Sequence, residues 1–92
     1  MDTVIDFSVL KESGLRKKGE LELVLGTTRV MVHRYMDGES FPRGANRRRA
    51  ALACKAISNL INKGSLPLPD TKTKEERQAA VDKIAAWVSS KL

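Results

Sequence analysis

A chain of 92 residues with a formal net charge of +6 has room for one domain with a modest core, and its charge implies attraction to polyanions. Its four aromatic residues, Phe7, Tyr35, Phe41 and Trp87, leave the core to Leu, Ile, Val, Met and Ala, a set that favours helices. A single cysteine, Cys54, excludes an intrachain disulfide scaffold; with His33 as the lone histidine no zinc-ligand spacing exists, and no apolar run is long enough to span a bilayer.

The opening Met1–Asp6 is acidic rather than basic, so no secretory leader is expected and the chain is expected in the cytoplasm. A first helix is expected from Thr3 to Ser13, with Val4, Phe7 and Leu10 on one face, Asp2, Thr3 or Asp6 as its cap and Gly14 closing it. Leu15 should plug the following turn into the core. Arg16-Lys17-Lys18-Gly19 then opens a second helix, whose apolar residues are Leu21, Val24 and Leu25. Gly26 stops that helix, because glycine takes a left-handed conformation without a Cβ clash.

Thr28 is a good N-cap for a third helix ending at Asp37-Gly38. Met31, Val32 and Tyr35 share one face of it, and Arg29, Val30, His33, Arg34 and Asp37 take the other. Glu39–Gly44 reads as a loop, since Pro42 cannot continue a helix, and Phe41 reads as a core plug. A fourth helix is expected from Asn46 to about Asn62, capped by Ala45 or Asn46. Ala50, Ala53, Ile57 and Leu60/Ile61 form its stripe, which Ala51, Leu52 and Ala56 widen enough for packing on two sides. Cys54, in the same run, reads as a small buried apolar residue.

Ser65–Asp70, with two prolines spaced by leucine, is the clearest linker. A fifth helix should follow from about Lys74 to Ser89, opened by a Thr73–Glu76 capping box. Ala80/Val81, Ile84, Ala85 and Trp87/Val88 form its apolar face, with Arg77, Gln78, Asp82, Lys83 and Lys91 outside. The fold class is therefore all-α: a compact bundle of about five helices, read as residues 1–64, a linker at 65–72 and a C-terminal helix at 73–92. No catalytic residue, metal site or cofactor is expected. His33 and Cys54 lie on different helices, the six glycines are isolated, and the paired carboxylates Glu20/Glu22 and Glu75/Glu76 read as solvated.

The segment from about Lys17 to Arg43 resembles the helix-turn-helix of the Cro/repressor family of phage and bacterial regulators. The likeness rests on Val24-Leu25-Gly26-Thr27-Thr28, the apolar Val32, the aromatic Tyr35, Asp37-Gly38 and Pro42-Arg43, and covers under half the chain. One position departs from the pattern. The family usually has a small residue four before the turn glycine, and here that residue is Glu22, so Glu22 must turn outward or the crossing of the two helices must open.

The resemblance implies base readout from the start of the third helix and one turn further on, on double-stranded DNA bearing a two-fold site. Arg29 and Arg34 suit guanine, Val30 the thymine methyl, and Thr28 and His33 a base or phosphate. Lys17, Lys18 and Arg47-Arg48-Arg49 stand at helix N-termini, where the dipole disfavours cations unless a phosphate joins them. With Thr27 and Arg43 they form the expected phosphate set. Val81, Ile84, Trp87 and Val88 on the fifth helix are expected to join two copies in a homodimer, with folding back as the last core helix the competing outcome. A repressor-like DNA regulator is the favoured expectation. A protein-interaction module of antitoxin or anti-repressor type, docking through the fifth helix, is the alternative.

Overall fold

The computed structural model describes residues 5–69 and 71–92, and these form five α-helices with no strand. They are α1 (Ser8–Glu12), α2 (Glu20–Leu25), α3 (Arg29–Met36), α4 (Ala45–Asn62) and α5 (Lys74–Lys91). The all-α bundle expected from composition is what the chain forms. Residues 1–4, and with them the start expected for the first helix at Thr3, lie outside the described residues, as does Asp70 at the end of the linker.

α1 is shorter than its apolar spacing implied. Ile5 and Asp6 precede it, and the Asp6 carboxylate accepts hydrogen bonds from the Ser8 N–H and hydroxyl. Those bonds hold the Asp6 carboxyl below the usual carboxylate range. Leu10 and Leu15 are buried, the latter plugging the turn as expected. Ser13 is also fully buried; its hydroxyl donates to Leu10 O and accepts from Leu15 N–H, so it costs nothing as a buried polar group.

α2 and α3 are joined by Gly26-Thr27-Thr28. Gly26 takes φ +67°, and its N–H returns to Glu22 O at 2.8 Å, closing α2. Thr28, extended, accepts the Met31 N–H on its hydroxyl and starts α3. Val32 and Tyr35 are buried and Met31 packs against the core, while Phe7 stacks on Tyr35 at 5.6 Å. Phe41 is not the core plug that was expected: it is 49% exposed, touching Phe7 edge-on, and the neighbouring Pro42 is buried instead.

α4 starts after Gly44 rather than at an Asn46 cap, and packs against α1, α2 and α5, with Ala50, Ala53, Cys54, Ala56 and Ile57 buried. Burial pushes the Cys54 thiol up to about 12. α5 opens with the expected capping box. Thr73 Oγ1 accepts the Glu76 N–H at 3.1 Å, and Glu76 Oε1 accepts the Thr73 N–H at 3.4 Å. Lys72, 3.3 Å from Glu76 Oε2, together with Thr73 holds the Glu76 carboxyl below its ordinary value.

Two expectations about the C-terminal third are corrected. α5 is not a detached oligomerisation element; it lies against both α2 and α4. Val81, Ile84 and Val88 are 0–3% exposed in the chain's own core, so these three are not offered to another copy or partner, while Trp87 is half-buried against that core. Nor does the Pro-rich segment hang free. Leu66 is buried, the Leu66–Pro67 bond is cis, and the Leu68 N–H donates to Ser13 O at 3.1 Å. That strand of linker runs so close to Gly14 that a Cβ there would lie 2.6 Å from Leu68 N and O.

The third correction concerns charge. Glu20 and Arg77, both read as solvated, are 9% and 3% exposed and paired. Arg77 Nη2 donates to Glu20 Oε1 and to Gly14 O, each at 2.7 Å; its Nε donates to Glu20 Oε2 at 2.9 Å and its Nη1 to Pro69 O at 3.2 Å. Glu20 Oε1 also accepts the Lys17 N–H at 2.9 Å. One guanidinium therefore gathers the loop after α1, the start of α2 and the linker onto α5, and a fork-shaped donor set is what that geometry requires.

Candidate nucleic-acid interface

The surface of α3 opposite Val32 and Tyr35 is open. Thr28, Arg29, Val30, His33 and Arg34 are all exposed, Val30 at 61%. Thr27 is half-buried in the turn, with its N–H donating to Glu22 O at 3.2 Å. Lys17 and Lys18 are exposed in the loop that leads into α2, and Arg43 is exposed in the loop after α3. The face expected to read bases is thus free of the chain's own packing, with three of the expected phosphate-set cations exposed in the loops before and after it.

The three arginines at the start of α4 behave differently. Arg48 Nη2 donates to Lys91 O, at the C-terminus of α5, at 3.1 Å. Arg49 Nη2 donates to Leu23 O, in the last turn of α2, at 3.3 Å. Arg47 lies over the Phe41 ring, 5.7 Å from its centroid. Cations at their own helix's N-terminus are unfavourably placed, but here two of them reach the negative C-terminal ends of other helices, where the dipole favours them. Arg48 and Arg49 are therefore each engaged within the chain through one nitrogen, while Arg48 stays exposed.

Arg49 also explains Gly26. Its guanidinium occupies the space beside the turn, so that a Cβ on residue 26 would lie 2.6 Å from Arg49 Nε. The glycine thus serves both a left-handed backbone and a close approach by α4. Sequence spacing offered no signal for this contact.

Glu22 stands where the family pattern has a small residue. Its side chain is half-buried, with Oε2 shielded from solvent and without a hydrogen-bond partner, and it lines a cleft of about 360 Å³ between α1, α2 and α3. The carboxylate has not turned fully outward. The cleft is lined by Leu10, Leu15, Leu21, Val32 and Met36, by the cations Lys11, Arg16, Lys17, Lys18 and Arg29, and by His33. An orphaned buried acceptor costs about 1–3 kcal/mol, and more when charged.

Among the described residues, no three or more His, Cys, Asp or Glu side chains gather as a metal site, and no helix is long and apolar enough to cross a membrane. Comparisons with protein-family models, with curated proteins and with solved structures return no match.

Proposed function

We propose that this chain binds double-stranded DNA in a sequence-dependent way, with α2, the Gly26 turn and α3 acting as a helix-turn-helix and α3 lying in the major groove. The observation that supports it most is the division of α3. Val32 and Tyr35 are buried, while Arg29, Val30, His33 and Arg34 stand exposed on the other face of a chain with net charge +6.

In this reading Arg29 and Arg34 meet base edges, Val30 meets a thymine methyl, and Thr28 and His33 add a base or phosphate contact. Lys17, Lys18, Thr27 and Arg43 hold phosphates, and Arg47 lies close enough to the Phe41 loop to join them. The role is transcription regulation of repressor type, exerted where cellular DNA lies. A two-fold site would be met by two copies of the chain, joined through a surface other than the buried stripe of α5.

The experiment is selection of bound duplexes from a random pool, followed by affinity measurements on the winning sequence. A preferred site should emerge, with affinity falling steeply with salt as condensed counterions are released. Arg34→Ala should cost about 1–3 kcal/mol on that site and relax preference at one base pair. No enriched sequence, or equal loss from Arg34→Ala on every duplex, overturns the proposal.

A further inference from the structure

We propose that the groove between α4 and α5 around Trp87 docks a short acidic segment of another protein, one that carries leucine-like apolar anchors. The groove has a volume of about 230 Å³. That is below the roughly 300–1,000 Å³ of sites that enclose a whole small molecule, and it suits one or two inserted side chains. Of its lining residues, Ala56 and Ile84 are buried in the core, so apolar contact falls to the half-buried Leu60 and Trp87. Lys63 and Lys83, both exposed, also line the groove, and the Lys91 ammonium lies 5.8 Å from the centre of the Trp87 ring. An indole with one side left open is a residue type on which binding energy concentrates at protein interfaces. Occupancy of this groove does not rest on DNA binding.

The charge around the groove selects the occupant. α4 contains no acid; its charged residues are Arg47, Arg48, Arg49 and Lys55. On α5, Glu75 and Glu76 stand in the first turn, at the other end from Trp87, and Asp82 accepts a hydrogen bond from Gln78 Nε2 at 2.8 Å; none of the three lines the groove. An apolar recess with lysines alone for charged neighbours is complementary to an apolar residue set between carboxylates. A second copy of this chain is a poor fit, because a two-fold contact here would bring Lys63, Lys83 and Lys91 of two copies together. A duplex is no better, since its phosphates would meet the lysines and leave Leu60 and Trp87 uncovered. An acidic segment meets both needs, with carboxylates on the lysines and leucines on the indole, in the manner of an amphipathic helix laid in a groove. The groove shares no residue with the exposed face of α3, so a partner seated at Trp87 is a separate matter from the duplex.

The test uses the intact chain and the emission of Trp87, its only tryptophan. The probe is a synthetic peptide of glutamates with leucines at i and i+4. Two control peptides replace the leucines by serine or the glutamates by glutamine. The acidic leucine peptide should bind saturably and one to one, shift the emission to shorter wavelength and shield the indole from acrylamide. Each control peptide should bind at least tenfold more weakly. Lys63→Gln together with Lys83→Gln should weaken the acidic peptide about tenfold. Lys11→Gln together with Lys74→Gln removes the same charge from exposed positions outside the groove and should leave binding within about twofold. All four lysines are exposed, and circular dichroism checks that each double variant is folded. Unchanged emission at millimolar peptide overturns the proposal. So does equal binding of the serine control, or equal loss from the two double variants, since either is attraction of any polyanion to a basic chain. Sedimentation of the chain alone tests the second copy: a dimer whose formation shifts the Trp87 emission makes that copy the occupant and overturns the proposal too. Displacement of the peptide by duplex DNA, with the same emission shift, assigns the groove to nucleic acid instead and is equally fatal.

Discussion

Replacing Arg77 by methionine keeps the length of the side chain and removes its charge and all its donors. The substitution strands the Glu20 carboxylate in a nearly water-free site with only the Lys17 N–H left to it, while Gly14 O and Pro69 O keep their backbone donors, Arg16 N–H and Lys72 N–H. Breaking a buried pair from one side costs about 3–5 kcal/mol, because the survivor is left charged and desolvated. A chain of this size has a net stability of about 5–14 kcal/mol, so the loss is a large part of the whole. Urea denaturation followed by circular dichroism should show the midpoint falling by about 2 M with little change in slope, given a slope of about 1.5 kcal/mol per M. The companion measurement is the double-mutant cycle with Glu20→Leu. Removing both charges should be far less damaging than the two single losses added, with a coupling of about 2 kcal/mol or more. A midpoint shift under about 0.5 M for Arg77→Met, or a coupling near zero, would refute the claim that this pair ties the loops to α5.

Three further outcomes follow from the packing. Gly14→Ala places a Cβ 2.6 Å from the Leu68 backbone at φ +75°, and the protein should melt at least 10 °C lower, whereas Gly64→Ala, with open space around it, should cost only the strain of its own positive φ. Thr73→Ala removes the hydroxyl of the capping box and should cost about 1 kcal/mol by denaturant titration, with Thr73→Ser recovering most of it. Cys54, with its thiol pushed up to about 12 from an ordinary 9.0, stays protonated in the folded chain while the unfolded chain ionises. Its contribution is therefore intact below about pH 9 and is lost as pH rises from 9 towards 12; Cys54→Ala should flatten the fall of stability over that window, and a thiol reagent at pH 8 should label the native protein only as fast as it opens.

How far the sequence speaks for itself differs from element to element. α3 was legible to within a residue because its start and stop are local chemistry: a threonine cap, an i, i+3, i+4 face, and Asp37-Gly38. The capping box of α5 was legible for the same reason. The partners of α5 were not, since nothing local says whether a helix after two prolines returns to the bundle. Arg77 was misread by sorting residues on charge alone. A signal was present in the spacing, for Arg77, Val81, Ile84 and Val88 stand at i, i+4, i+7 and i+11, so the arginine continues the buried stripe by one turn. Glu20, its partner, carries no comparable mark, because the distance of 57 residues between them is bridged only by the fold. The arginine triplet of α4 is a similar case. Its position at a helix start was legible, but the helix ends it serves belong to α2 and α5, which only the tertiary arrangement brings near.

The docking of α5 also sets the order in which the molecule can become itself. Of the five helices it is made last, yet Val81, Ile84 and Val88 contribute burial worth roughly 5–9 kcal/mol, about as much as the whole fold has to spare. A nascent chain ending before Lys74 has α2 and α3 in hand but lacks the helix that covers the inner side of α2 and the guanidinium that gathers its loops. On the ribosome, the exposed face of α3 is therefore not held at a defined angle until synthesis has passed α5. A stop codon in the linker would yield not a smaller version of the protein but an open, protease-sensitive chain.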